Sequence, residues 1–134
     1  MQLRKYSLRN IKPSFFFPIL WFIISTALLI IPGTAFPKEN WLDKIWFDKW
    51  VHISMFAIMV TLWCWAMLKI YSDGTRLRTI FIWIGLLCLI YGVGMEFVQK
   101  YFIKNRSFDT GDIIADAAGC ILGVFFSLKR YVKN

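Results

Sequence analysis

The stretch TIFIWIGLLCLIYGVGMEFVQKY, residues 79–101, decides the fold. No charge interrupts it between Arg78 and Glu96. About 20 apolar residues suffice to carry a helix across a bilayer's hydrocarbon layer. Lipid offers no partner to bare N–H and C=O groups, so a single crossing segment must be a helix. The run therefore predicts a membrane span.

Working outward, three further apolar runs appear. The first covers about residues 14–31, with no charge between Lys12 and Lys38, and stops at Pro32-Gly33. Pro cannot continue a helix and Gly frees the backbone to turn. Its basic start and the small residues Gly33-Thr34-Ala35 resemble a secretory leader. Its apolar part is long for one, since leader cores run ~7–15 residues, so a retained helix is expected. The second run covers about 50–71, with His52 near its start. Ser72-Asp73-Gly74-Thr75 reads as a tight turn before the third run. The fourth covers about 110–128. Between the first two lies a segment with Trp41, Trp46 and Trp50, residues that suit a membrane–water boundary. A short interfacial helix over 40–47 fits there. The expected fold is all-α: a four-transmembrane-helix bundle forming one domain over residues 1–134.

Composition agrees. Hydrophobic types make up 58% of the 134 residues, above the ~45–50% of soluble domains. The net charge of +8 sits at the flanks of the apolar runs rather than along one face. It therefore reads as topology and attraction to membrane lipid headgroups, not as a nucleic-acid surface. With the N-terminus inside, inner segments hold ten Lys/Arg and outer segments six. Both termini are thus predicted cytoplasmic. Cys64, Cys88 and Cys120 lie in apolar runs and read as small packing residues.

The ionisable residues are not scattered. Asp48 and His52, four apart, share a face at the outer end of helix 2. Glu96 and Gln99 share a face at the outer end of helix 3, on the side of Gly85 and Gly92. Arg106 and Asp109 lie in the following loop. Asp112, Asp116, Gly119 and Gly123 fall within an arc of about 60° on helix 4. Glycines let membrane helices approach closely, and carboxylates avoid lipid, so this stripe should pack inward. Asp48, Asp109 and Asp112 also suit helix starts, and Arg106 with Asp109 suits a surface ion pair. Glu96 opposes its helix dipole, and Asp116 lies beyond the first turn. Those two have no such local explanation. The set reads as an outward-facing polar pocket.

Several short motifs in this order resemble the VanZ-like family. They are Asp48-Lys49-Trp50-Val51-His52, Glu96-Phe97-Val98-Gln99, Asn105 to Asp112, and Asp112-x-x-x-Asp116-x-x-Gly119-x-x-x-Gly123, with Ile31-Pro32-Gly33 closing helix 1. The resemblance covers residues 14–125. At 116 the family often carries Asn, where this chain adds a negative charge. The resemblance implies a small multi-pass protein of the bacterial cytoplasmic membrane, similar to a determinant of resistance to the glycopeptide antibiotic teicoplanin.

Three functions follow as expectations. In the first, the pocket binds an envelope ligand or glycopeptide-type antibiotic, or modulates access to lipid-linked precursors. In the second, the chain is a membrane-embedded hydrolase or transferase: His52, Glu96, Asp112 and Asp116 act as acid and base or hold a divalent cation, while Arg106 clamps a phosphate. Lys49, Lys100 and Arg106 are the alternative counter-charges, and no cofactor is expected on that account. In the third, the chain is a small transporter or proton relay, although the middle and inner parts of helices 2 and 3 carry no charge. The topology itself is testable. Reporter fusions at the C-terminus should read cytoplasmic, and a reporter inserted between Lys104 and Arg106 should read external.

Overall fold

The computed structural model describes residues 14–32, 35 and 46–132. Among the described residues there are four helices: α1 (Phe16–Ile30), α2 (Phe47–Met67), α3 (Gly74–Phe102) and α4 (Thr110–Tyr131). There is no strand among the described residues. Three helices, α2 to α4, are long and apolar enough to cross a membrane. The remaining described helix, α1, is also apolar and has 15 residues. At 1.5 Å per residue it covers roughly 22 Å, short of a ~30 Å hydrocarbon layer. Its ends explain this. The Phe16 amide donates to Ser14 Oγ at 3.2 Å, and Ile31, held extended before Pro32, stops the helix.

Other boundaries also moved. Ser72 to Thr75 is not a free turn. Asp73 caps α3, its carboxylate accepting from the Thr75 and Arg76 amides at 3.4 and 3.2 Å. The helix therefore starts at Gly74, five residues earlier than its apolar run. The second helix starts at Phe47, after Trp46 in the left-handed region (φ 54), and ends at Met67. That start places Asp48 and Lys49 inside the first turn. The fourth helix continues to Tyr131. The interfacial helix expected over 40–47 falls outside the described residues, apart from Trp46 and Phe47.

The core explains the order of packing. Helix α4 lies chiefly on α2 and then on α3, while α1 touches α2 and α3 but not α4. Phe56, Met59, Val60 and Phe81 are fully enclosed. Cys64, Cys88 and Cys120 are buried free thiols within this interior. Large side chains such as Ile82, Trp83, Ile121 and Phe125 point outward, as lipid contact requires. Glycines set the α2–α4 distance. A Cβ on Gly119 would collide with the Ile53 carbonyl and Phe56, and one on Gly123 with the Ala57 carbonyl and Val60. Gly85 likewise admits Val124, and Gly92 admits Asp116.

Side-chain size at 119 should therefore govern stability. Gly119→Ala is expected to lower the thermal midpoint of the purified protein, with an overpacking cost of about 1–3 kcal/mol. At Gly94 a Cβ would meet nothing within 4 Å, so Gly94→Ala should leave the midpoint unchanged.

Candidate functional site

At one end of the bundle, the first turns of α2 and α4 and the last turns of α3 meet. Local sequence places each group. Asp109 is the N-cap of α4, its carboxylate accepting from the Gly111 amide at 2.7 Å. Asp112 then lies in the first turn and Asp116 one turn further in. Asp48 and Lys49 occupy the first turn of α2, with His52 one turn on.

Lys49 is the centre of one half of the cluster. Its ammonium donates to Asp48 at 2.9 Å, Asp109 at 2.5 Å and Asp112 at 2.7 Å. The Lys49 and Asp112 side chains are 18% and 9% exposed, so this pair is largely out of water. Asp109 and Asp112 belong to α4, so the lysine ties α2 to α4. The Lys49 ammonium holds the Asp109 carboxyl below its ordinary value, and its loss of hydration opposes that. A carboxylate with a lowered pKa stabilises the fold at neutral pH. That contribution disappears only as pH falls through and below the ordinary Asp value of 3.8.

His52 is the centre of the other half. Its Nδ1 lies 2.8 Å from Asp116 Oδ1, and its Nε2 lies 3.8 Å from Asp112 Oδ2. With the proton on Nδ1, Asp116 accepts it and Nε2 carries the lone pair. Asp116 in turn rests against Gly92, where any Cβ would displace it. His52 and Asp112 are 6% exposed, and Asp116 is 1% exposed.

Three expected site residues have structural duties. Glu96 is buried and accepts from the Asp109 backbone amide at 2.9 Å, fixing the α3–α4 loop. Gln99 donates from Nε2 to the Leu29 carbonyl at 2.9 Å. Arg106 donates from Nε to the Ile31 carbonyl at 3.3 Å. The last two satisfy carbonyls at the end of α1 that the helix itself leaves open, and the arginine's charge suits that end of the dipole. Arg106 therefore has a helix-end role beyond the phosphate clamp expected of it. Glu96 and Gln99 at the end of α3 and Arg106 in the following loop thus build the site's frame, while Asp48, Lys49, His52, Asp109, Asp112 and Asp116 form its ion-paired centre.

The sequence marks Lys49 as a counter-charge and a motif residue, and its place as the basic residue between Asp48 and His52 is the signal for its central role. The four carboxylate and imidazole groups first considered for a cation do not form the grouping that appears. Oxygen atoms of Asp48, Asp109 and Asp112 lie within 4.8 Å of one another instead. The Lys49 ammonium contacts all three and supplies the positive charge they need. The two cavities described in the bundle are lined by none of the cluster's residues.

No protein-family model matches the chain, and no solved structure matches it. An uncharacterized protein of the fission yeast Schizosaccharomyces pombe is 31% identical over 117 residues, 87% of this chain. The chain spans 63% of that relative's length. A similar protein in a eukaryote gives no support to the bacterial setting expected from the VanZ-like motifs.

Removing the lysine should leave Asp112 buried without its ion pair. Lys49→Met is expected to destabilise the protein by about 3–5 kcal/mol, the scale for breaking a buried pair. Adding Asp112→Asn should recover part of that loss, because the stranded charge is gone. A double-mutant cycle on thermal midpoints measures the coupling.

Proposed function

We propose that this chain is a VanZ-like, multi-pass membrane protein whose ion-paired end faces outward and binds a ligand of the cell envelope. The ligand would be a glycopeptide-type antibiotic or a lipid-linked precursor whose access the protein modulates. The observation that carries this reading is the burial of His52 between Asp112 and Asp116 within apolar helices. Ionisable groups are expensive at such positions and are generally retained for function. Lys49 accounts for Asp48, Asp109 and part of Asp112, but a plain helix cap does not require His52 and Asp116. The bacterial cytoplasmic membrane is the setting that the family resemblance implies.

One observation favours a second reading, a membrane-embedded hydrolase or transferase. An aspartate fixing Nδ1 of a histidine leaves Nε2 to take or give a proton, the arrangement of an oriented general base. Asp116, His52 and the nearby Asp112 have that geometry. A transport route has less support. Inward of His52 and Asp116 the interior is Phe56, Met59, Val60 and Phe81, with the hydroxyls of Ser25 and Ser127 the enclosed polar groups beyond.

The two readings separate experimentally. Teicoplanin and a polyprenyl-diphosphate-linked disaccharide are titrated onto protein in nanodiscs, with tryptophan fluorescence as the readout. Saturable binding to one of them, weakened at least tenfold by His52→Ala and by Asp116→Asn, is expected. Identical titrations for wild type and both variants would overturn the binding site. Release of phosphate or sugar by the wild type, lost in His52→Ala, would replace binding with catalysis.

A further inference from the structure

Helices α2 and α4 run in the same direction, with Gly119 beside Ile53 and Gly123 beside Ala57. A groove of about 570 Å³ is lined by both helices, and Lys129 is part of its lining. We infer that it is a site for an anionic phospholipid, with the phosphate at Lys129 and an acyl chain along the groove. The inference is independent of the ligand proposed for the ion-paired cluster, which lies at the other end of α4.

Local sequence makes the groove. Leu122, Phe125, Phe126 and Lys129 recur at the spacing of one helical face. On α2, Ile58 and Leu62 are one turn apart and line the same space. The contact at Gly123 keeps the two backbones close, so these larger side chains flank a channel whose buried part is the glycine. Ile58, Leu122, Phe125 and Phe126 are 41–62% exposed, so the groove opens on the outer surface of the bundle, where lipid is.

Its depth fits a phospholipid. From Asp112 to Lys129 the helix rises roughly 26 Å. A hydrocarbon layer is ~30 Å thick. With the cluster at one membrane boundary, Lys129 is at the other, where a long side chain reaches head groups. Gly123 lies about 9 Å deeper along the helix. The groove thus runs from head-group depth into hydrocarbon, as one lipid molecule does.

Charge selects the head group. Gly74, at the start of α3, lies beside Val132, so the α2–α3 turn shares this end. Among the described residues, Lys69, Arg76, Arg78, Lys129 and Arg130 are the basic groups here, and Asp73 is the acidic one. Asp73 is committed to capping α3. Arg76 lies over the Tyr71 ring and Arg130 over the Tyr131 ring. Lys129 takes part in none of the ion pairs among the described residues, and of these cations it is the one that lines the groove. Basic groups beside membrane helices bind anionic head groups. An ammonium at the mouth of an apolar channel suits a phosphate that carries acyl chains better than a soluble anion, which leaves the channel unfilled.

The test uses the full-length protein in phosphatidylcholine nanodiscs that hold a small fraction of phosphatidylglycerol or phosphatidylcholine with a diazirine in one acyl chain. After photolysis, phosphatidylglycerol should label the peptides holding Ile58 to Leu62 and Leu122 to Phe126 about fivefold more than phosphatidylcholine, the scale of one Lys acting on an anionic head group. Lys129→Gln should remove that preference, and Lys129→Arg should retain it. Lys129 is exposed, so neither change touches the core, and an unaltered thermal midpoint checks that the fold is kept. Lys69→Gln should leave the groove labelling unchanged, because that side chain does not line the groove. Ile58→Trp, which takes up part of the groove, should lower the labelling by both lipids. Equal labelling by the two lipids, or a preference that survives Lys129→Gln, overturns the site. So does a preference equally strong at Ile82 and Trp83 on the outer face of α3, which would mark a general attraction to the basic end.

Discussion

The close approach of α4 to α2 is the constraint on which the rest depends. Gly119 and Gly123 face the Ile53 and Ala57 carbonyls and the side chains of Phe56 and Val60 at distances that no Cβ could share. One turn and more above them on the same stripe are Asp116 and Asp112. Only because the backbones nearly touch can short aspartate side chains reach His52 and Lys49 at 2.7–2.8 Å. Packing and electrostatics are therefore one feature: the small residues set the distance, and the ion pairs exploit it.

Charge burial then follows a division of labour. Each polar group enclosed at this end has a named partner from another helix or loop, which is what makes its burial tolerable. Glu96 holds the α3–α4 loop through the Asp109 amide, and Gln99 and Arg106 complete the carbonyl end of α1. Those bonds make a frame. Within it, His52 has one nitrogen committed to Asp116 and the other beyond bonding distance of Asp112. A group so placed is oriented and still free to interact, which separates it from the capped and bridged residues around it.

Helix α1 differs from the other three. It is short, it misses α4, and it is attached by hydrogen bonds involving Trp21, Thr26, Gln99 and Arg106 and by ring contacts of Phe17 with Trp65 and Phe22 with Tyr91, rather than by a glycine seam. Polar bonds fix a helix at points, whereas interdigitated side chains fill the surface between. An apolar space remains beside Phe22 and Tyr91.

Much of this is legible in the amino-acid sequence. Long uncharged runs determined the helices, because lipid leaves a backbone no other way to satisfy its polar groups. Helical periodicity determined that Asp112, Asp116, Gly119 and Gly123 share a stripe, and that Glu96 and Gln99 share a face with Gly85 and Gly92. All of these are buried. What periodicity cannot express is the partner. Whether Lys49 reaches lipid headgroups or three carboxylates depends on where α4 begins relative to α2, which only their packing decides. The open carbonyls of Leu29 and Ile31 are likewise invisible until α1 stops beside Gln99 and Arg106. Local pattern thus determined which groups lie at one depth and on which face. Tertiary structure decided which of them hold the frame and which form the site, because hydrogen bonds at 2.5–3.3 Å depend on positions that sequence spacing along a single helix does not specify.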